Sequence, residues 1–101
     1  MDLHDLAGDG VRVSDEPERR RFVVTVNGRL AGHVQYRLRP PNLVVAHTEI
    51  DPEFQGRGLG GLLARAALDV ARERGLVVDN MCPFVAAWID RHPDYAELLV
   101  R

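Results

Sequence analysis

Apolar positions along the chain change period twice, and the changes divide it into elements. From Arg21 to Val26 the run Phe22-Val23-Val24-Thr25-Val26 is β-branched and apolar, which predicts a strand. Asn27-Gly28 follows, a pair suited to the positive-φ positions of a tight hairpin. The return strand is expected over about Leu30 to Arg39. Leu30, Gly32, Val34, Tyr36 and Leu38 would lie on one face, and Ala31, His33, Gln35, Arg37 and Arg39 on the other. Pro40-Pro41-Asn42 breaks it, and Leu43 to Ile50 reads as a third, more apolar and central strand. The period then lengthens. Leu59, Leu62, Leu63, Ala66, Ala67, Val70 and Ala71 form one stripe of an amphipathic helix that Gly75 closes. Leu76 to Met81 reads as a short buried strand returned to by a crossover. A second helix begins at Pro83, carries Phe84, Val85, Trp88 and Ile89, and is interrupted by Pro93, with a last turn over Asp94 to Val100.

Val11 and Val13 add a short edge strand ahead of these, and residues 1–10 read as loose. The expectation is one α/β domain over 11–101 with a mixed, mostly antiparallel sheet in the order β-β-β-β-α-β-α. A chain of 101 residues is near the lower end of sizes that build a core without staples.

Composition narrows the chemistry. All 13 basic residues are arginine, so a lysine-dependent phosphate loop, Schiff base or lysine general base is excluded. One cysteine, Cys82, permits no internal disulfide and suggests no metal cluster. The net charge of −2 argues against general nucleic-acid binding. Arg19-Arg20-Arg21 is a basic run beside Glu16 and Glu18, read as a solvated loop or strand edge. No stretch approaches a membrane span and the acidic start lacks a leader pattern, so the cytoplasm is the expected compartment.

Between the third strand and the long helix lies Gln55-Gly56-Arg57-Gly58-Leu59-Gly60. Three glycines clear side chains from the backbone, and the first amides of a helix have no internal partner and sit at its positive end. The loop is therefore a natural phosphate seat. It resembles the Gln/Arg-x-x-Gly-x-Gly/Ala pyrophosphate loop of the GCN5-related N-acetyltransferases, matched by Gln55, Gly58 and Gly60. His47-Thr48-Glu49-Ile50, this loop, and Cys82-Pro83-Phe84 through Tyr95 together resemble the very small, single-domain branch of that family, with Cys-Pro at the start of the last helix.

The resemblance implies that acetyl-coenzyme A is the co-substrate, without a metal. Its diphosphate would lie on residues 55–60 and its pantetheine arm along Thr48 to Ile50, with its thioester pointing toward Cys82. Backbone amides near Glu49 and Ile50 would stabilise the oxyanion, as in relatives with a bulge there. The acceptor would be an unidentified amine. The chain lacks the extra elements that enclose the acceptor pocket in larger members, and such an open site suits a peptide or protein amine. A coenzyme-binding regulator without turnover is the alternative.

The residues themselves leave several roles open. Cys82, at the head of a helix, is a candidate nucleophile, a site-lining thiol or a small buried hydrophobe. His47 and Glu49, two apart on one strand face, are a candidate general-base set or a polar sheet face, and His33 would join them if the register allowed. Asn80 would bond the pantetheine or close a turn. Trp88 and Ile89 stand where larger relatives place a tyrosine proton donor, leaving Tyr95 and Cys82 as substitutes. Trp88 itself reads as core, and His92 as a helix cap.

Overall fold

The computed structural model describes the backbone of residues 2–6 and all of residues 10–100. Among these the strands are β1 (Asp2–Leu6), β2 (Val11–Glu16), β3 (Arg21–Val26), β4 (Arg29–Arg39), β5 (Asn42–Ile50) and β6 (Val77–Asn80). The helices are α1 (Leu59–Glu73) and α2 (Pro83–Arg91), with 3-10 turns at Pro17–Arg19, Pro52–Phe54 and Pro93–Leu98. The strands form one sheet in chain order, antiparallel throughout except for the parallel pair of β5 and β6. The α/β architecture is as expected, with one addition. Asp2–Leu6, where no element was expected, pairs with β2 and takes the sheet edge that Val11 and Val13 were assigned. The open peptide edge of β2 supplies those hydrogen bonds, which the polar composition of the segment does not foretell.

Asn27 and Gly28 have φ of 50° and 83° and make the tight hairpin. Two one-residue bulges then reset the faces of the following strands. Val24 pairs with Gly32 but Thr25 with Leu30, so Ala31 is the extra residue. Its carbonyl accepts the Asp51 N–H at 2.8 Å. Ala31 therefore turns into the core and Leu30 is 49% exposed, the reverse of their expected faces. Gln35 pairs with His47 but Tyr36 with Val45, which puts the second bulge at Ala46. The family resemblance had suggested a bulge near Glu49 and Ile50. These residues instead remain in regular register with His33 and Gly32.

One face of the sheet carries the core. Val13, Phe22, Val24, Val34, Leu43, Val45 and Val78 pack against Leu59, Leu63, Ala66, Ala67, Val70 and Ala71 of α1 and against Val85, Trp88 and Ile89 of α2. Four alanines on α1 (Ala64, Ala66, Ala67 and Ala71) are at most 1% exposed, so the helix lies close on the β-branched sheet surface. The opposite face is polar. Its Val23, buried but outside this cluster, pairs with Ser14 and His33.

The parting of β5 and β6 creates the site. They pair from Asn42–Val77 to Val45–Asn80, and the Met81 N–H reaches the Val45 carbonyl at 2.8 Å. Beyond that rung the chain leaves the sheet at Cys82-Pro83, while β5 runs on through Ile50. The Asn80 side chain brackets the departure. Its Oδ1 accepts the Cys82 N–H at 3.1 Å and its Nδ2 donates to the Cys82 carbonyl at 3.0 Å.

Candidate active site

A cleft of about 600 Å³ opens between the projecting end of β5, the start of α1 and one side of α2. Thr48 and Ile50 of β5, and Gln55, Gly56, Gly58, Leu59 and Gly60 of the loop, line it. Seven of the residues expected to hold a coenzyme therefore share one wall. Arg57 and Asn80, expected with them, do not line the cleft. The Arg57 guanidinium lies 5.4 Å from the centre of the Phe54 ring, and the Asn80 amide holds the Cys82 backbone.

The loop is held from below. Asp51 Oδ1 accepts the Glu53 N–H at 3.0 Å and caps the 3-10 turn, which buries Phe54. Glu53 forms a two-pronged pair with Arg29 at 3.1 and 2.6 Å, and the same guanidinium lies 5.3 Å from the Phe54 ring centre. Such exposed pairs contribute little to global stability. Here the pair ties the loop to the start of β4. Above this anchor Gly56 and Gly58 have φ of 83° and 75°, the left-handed region that favours glycine. Gly58 is the N-cap of α1, so the N–H groups of Leu59, Gly60 and Gly61 lack intrahelical acceptors, with the positive end of a 15-residue helix behind them. This is the chemistry of an anion seat, and it fits a diphosphate.

Gly60 serves a different need. A Cβ there would come within 2.5 Å of Phe84 Cζ, so its bareness admits the Phe84 ring rather than an unusual backbone angle. Phe84, Trp88, Arg91 and His92 of α2 and the following turn line the opposite wall. Sequence reading did not assign these four to the site. Trp88 is both core, at 4% exposure, and wall. The His92 ring stacks on it with centroids 3.9 Å apart, and Nδ1 lies 2.8 Å from the Trp88 carbonyl oxygen. The i, i+4 spacing of Phe84, Trp88 and His92 was the available signal.

Cys82 is 3% exposed and does not line the cleft. Its Sγ lies 3.4 Å from Thr48 Oγ1, so the hydroxyl stands between thiol and cleft wall. Tyr95 is committed elsewhere. Its hydroxyl donates to Asp69 Oδ1 at 2.7 Å, and burial, then that bond, push its pKa up.

His47 and Glu49 project from β5 on the polar face, with His47 Nε2 3.5 Å from Glu49 Oε2. Cross-strand register sets His33 opposite Glu49, at 3.9 Å from the same oxygen, so the three side chains do meet. They flank Thr48 in sequence but occupy the opposite face of the strand. Burial, and then the Arg21 guanidinium, lower the His33 pKa, while Glu49 opposes them. Folding therefore favours its neutral form. That stabilisation is complete above the ordinary value of 6.5 and is lost as pH falls through the lower folded value. His33→Gln is expected to flatten the loss of stability from pH 7 to pH 5, read as urea midpoints. An unchanged pH dependence would show that the imidazole titrates alike folded and unfolded.

Comparison with known proteins agrees with this geometry. A family model described as GCN5-related N-acetyl-transferase matches residues 21–98. Protein NATD1 of mouse is 31% identical over 88 residues, covering 85% of this chain and 80% of that protein. Streptothricin acetyltransferase of Streptomyces lavendulae is 38% identical over 69 residues, covering 66% of this chain but 36% of its own. Among solved structures, a GCN5-like protein from Staphylococcus aureus superposes with a TM-score of 0.69 over 90% of this chain and 89% of its own, at 19% identity. The ribosomal-protein-S18-alanine N-acetyltransferase of Escherichia coli gives 0.57 over 60% of this chain and 41% of its own, at 25% identity. With the parted strands, the glycine loop and the family match in one place, the chain belongs to the GCN5-related N-acetyltransferases.

Proposed function

We propose that this N-acetyltransferase takes acetyl-coenzyme A in the cleft beside the glycine loop and acetylates an amine of a peptide or protein. The observation that carries the reading is the pair of left-handed glycines, Gly56 and Gly58, at the head of α1 in a cleft that Thr48 also lines. The coenzyme supplies an acetyl group already activated as a thioester, so the chain's own tasks are to bind, orient and move protons. The amides of Leu59 to Gly61 hold the diphosphate, and the peptide groups of Thr48 to Ile50 hold the pantetheine arm. Thr48 Oγ1, backed by Cys82 Sγ at 3.4 Å, keeps a proton at the cleft wall. Asn80 acts through Cys82, by fixing its backbone. Glu49, with His47 and His33 around it, is the proton-accepting group on the polar face. An amine arriving there passes the gap beside residues 46–50, which project beyond the last rung with β6.

A protein amine is favoured because the polar face bears no packed helix among the described residues, so a long acceptor meets no wall. The name of the Escherichia coli neighbour, which gives an alanine of a ribosomal protein as its acceptor, supports the same class. Free coenzyme A release should rise when peptides with open N-termini or lysines are added, more than with small polyamines or aminoglycosides. Release that ignores every acceptor would point to a coenzyme-binding module, and release only with small amines would sink the protein-acceptor assignment.

A further inference from the structure

The end of the sheet away from the glycine loop carries a second concave surface with its own chemistry. The first rung of β3 pairs Arg21 with Gln35, whereas β4 runs on through Arg39. Tyr36, Arg37, Leu38 and Arg39 therefore extend past β3, and the 3-10 turn Pro17–Arg19 occupies the start of that space. Arg20, left-handed at φ 55°, closes the turn, and its carbonyl accepts the Tyr36 N–H at 2.8 Å. That bond shows which way the strand edge faces. Peptide groups two residues apart point to the same side, so the Leu38 N–H points outward as well, with no β3 residue opposite.

Pro17, Arg20, Tyr36, Arg37, Leu38 and Arg39 line the resulting groove of about 410 Å³. All three arginines are exposed, and none has an ion-pair partner among the described residues. Arg21, Arg29 and Arg72, by contrast, each hold a glutamate. Of the carboxylates whose field reaches Tyr36, Asp15 is bonded to its hydroxyl at 2.6 Å, leaving Glu18, and Arg74 adds a further positive charge. The groove is thus locally cationic on a chain whose net charge is −2.

We propose that this groove binds a phosphoryl anion, two adjacent phosphoryl groups held by Arg20, Arg37 and Arg39 and by the Leu38 N–H. Guanidinium forks match phosphate oxygens in bidentate pairs. Three forks around one groove offer more donors than the two oxygens of a lone carboxylate can use, whereas a diphosphate has oxygens for all of them. The site is separate from the coenzyme seat. Asn42, paired with Arg39, and Ile50, which leads to the glycine loop, are opposite ends of β5, roughly 26 Å apart at strand spacing. The phosphoryl groups belong either to a free polyphosphate or to a nucleic-acid backbone.

Amide NMR of the full chain distinguishes the sources and the sites, because the two loci report on different residues. Inorganic pyrophosphate should shift the amides of Arg20 and Tyr36 to Arg39 saturably, whatever it does at Gly56 to Gly61. The double variant Arg37→Gln, Arg39→Gln, at two exposed positions, should weaken that response on the order of tenfold while leaving the glycine-loop amides unchanged. A single-stranded oligonucleotide that shifts the same amides more tightly identifies a nucleic-acid backbone as the source. Its log affinity against log salt should then have a slope of about −2 for three phosphate contacts. Pyrophosphate binding alone identifies a free polyphosphate. A hexaglutamate peptide that binds as well as pyrophosphate overturns the phosphoryl assignment. Absence of any saturable shift overturns the site, and the arginines then serve only to keep the open edge of β4 from pairing with another strand.

Discussion

Valine at position 58 is expected to reduce acetyl-coenzyme A affinity about tenfold or more while leaving the fold in place. Gly58 has φ of 75° with no atom within 4 Å of where a Cβ would stand, so the obstacle is conformational rather than steric contact. A β-branched residue held in that region costs roughly 1–3 kcal/mol. The cheapest relief is rotation of the neighbouring peptides, which turns the amides at the head of α1 away from the diphosphate. Gly60→Ala makes the contrast. Its backbone is ordinary, and the added carbon meets the half-exposed Phe84 ring, which swings away. Loss in this variant should fall on cleft shape, with 3′-phosphoadenosine 5′-diphosphate, which carries the diphosphate but no pantetheine arm, affected less than acetyl-coenzyme A. Arg57→Ala should change affinity little, because that guanidinium lies on Phe54 outside the cleft wall. Calorimetric titration of the three variants checks the ordering. Equal affinity of Gly58→Val and the parent chain would detach the glycine loop from coenzyme binding and remove the observation on which the site rests.

What the sequence made legible and what it hid follow from the range of the interactions involved. Helix α1 was readable because its stripe and its closing Gly75 are local, and the hairpin at Asn27-Gly28 was readable because two positive-φ residues suffice to turn the chain. The glycine loop was readable as well, since a run of small residues between strand and helix states its own conformational need. The bulges at Ala31 and Ala46 were not. Each is a one-residue choice of register between strands: the alternation of β4 continues through Ala31 unchanged, and Ala46 ends an unbroken apolar run in β5. Leu30 and Ala31 accordingly exchanged faces. The second wall of the cleft was hidden for a related reason. Phe84, Trp88 and His92 read as core and cap because their spacing tells which side of α2 they share, but not that this side packs against Gly60 and Gly61 beside the cleft. Asn80 shows the opposite limit. Its side chain acts within two residues, so the turn reading was available locally, and the geometry adopts it.

Cys82→Ala is expected to lower kcat by roughly tenfold to a hundredfold with little change in KM, and the parent chain is expected to accumulate no acetyl-cysteine. The position of the sulfur decides between the two roles. A nucleophile that accepts the acetyl group must reach the thioester carbon, yet Cys82 Sγ is 3% exposed as a residue, lies behind Thr48 Oγ1 and does not line the cleft. What it can do there is hold a proton in a chain with the Thr48 hydroxyl, at the point where a departing thiolate needs one. General acid assistance is worth on the order of 10²- to 10⁴-fold when lost entirely. Thr48 remains in the alanine variant, so the loss should sit at or below the lower end. Thr48→Val removes the link itself, and if the two groups act as one unit the double variant should be hardly worse than the poorer single. Cys82→Ser keeps a proton and nearly the same volume, and should recover part of the rate. Acid-quenched intact mass of the parent chain mixed with acetyl-coenzyme A, without acceptor, tests the alternative directly. An added acetyl group that disappears in Cys82→Ala, together with a loss of kcat beyond about a thousandfold, would establish covalent transfer through the thiol and require the Thr48 side chain to move aside during turnover.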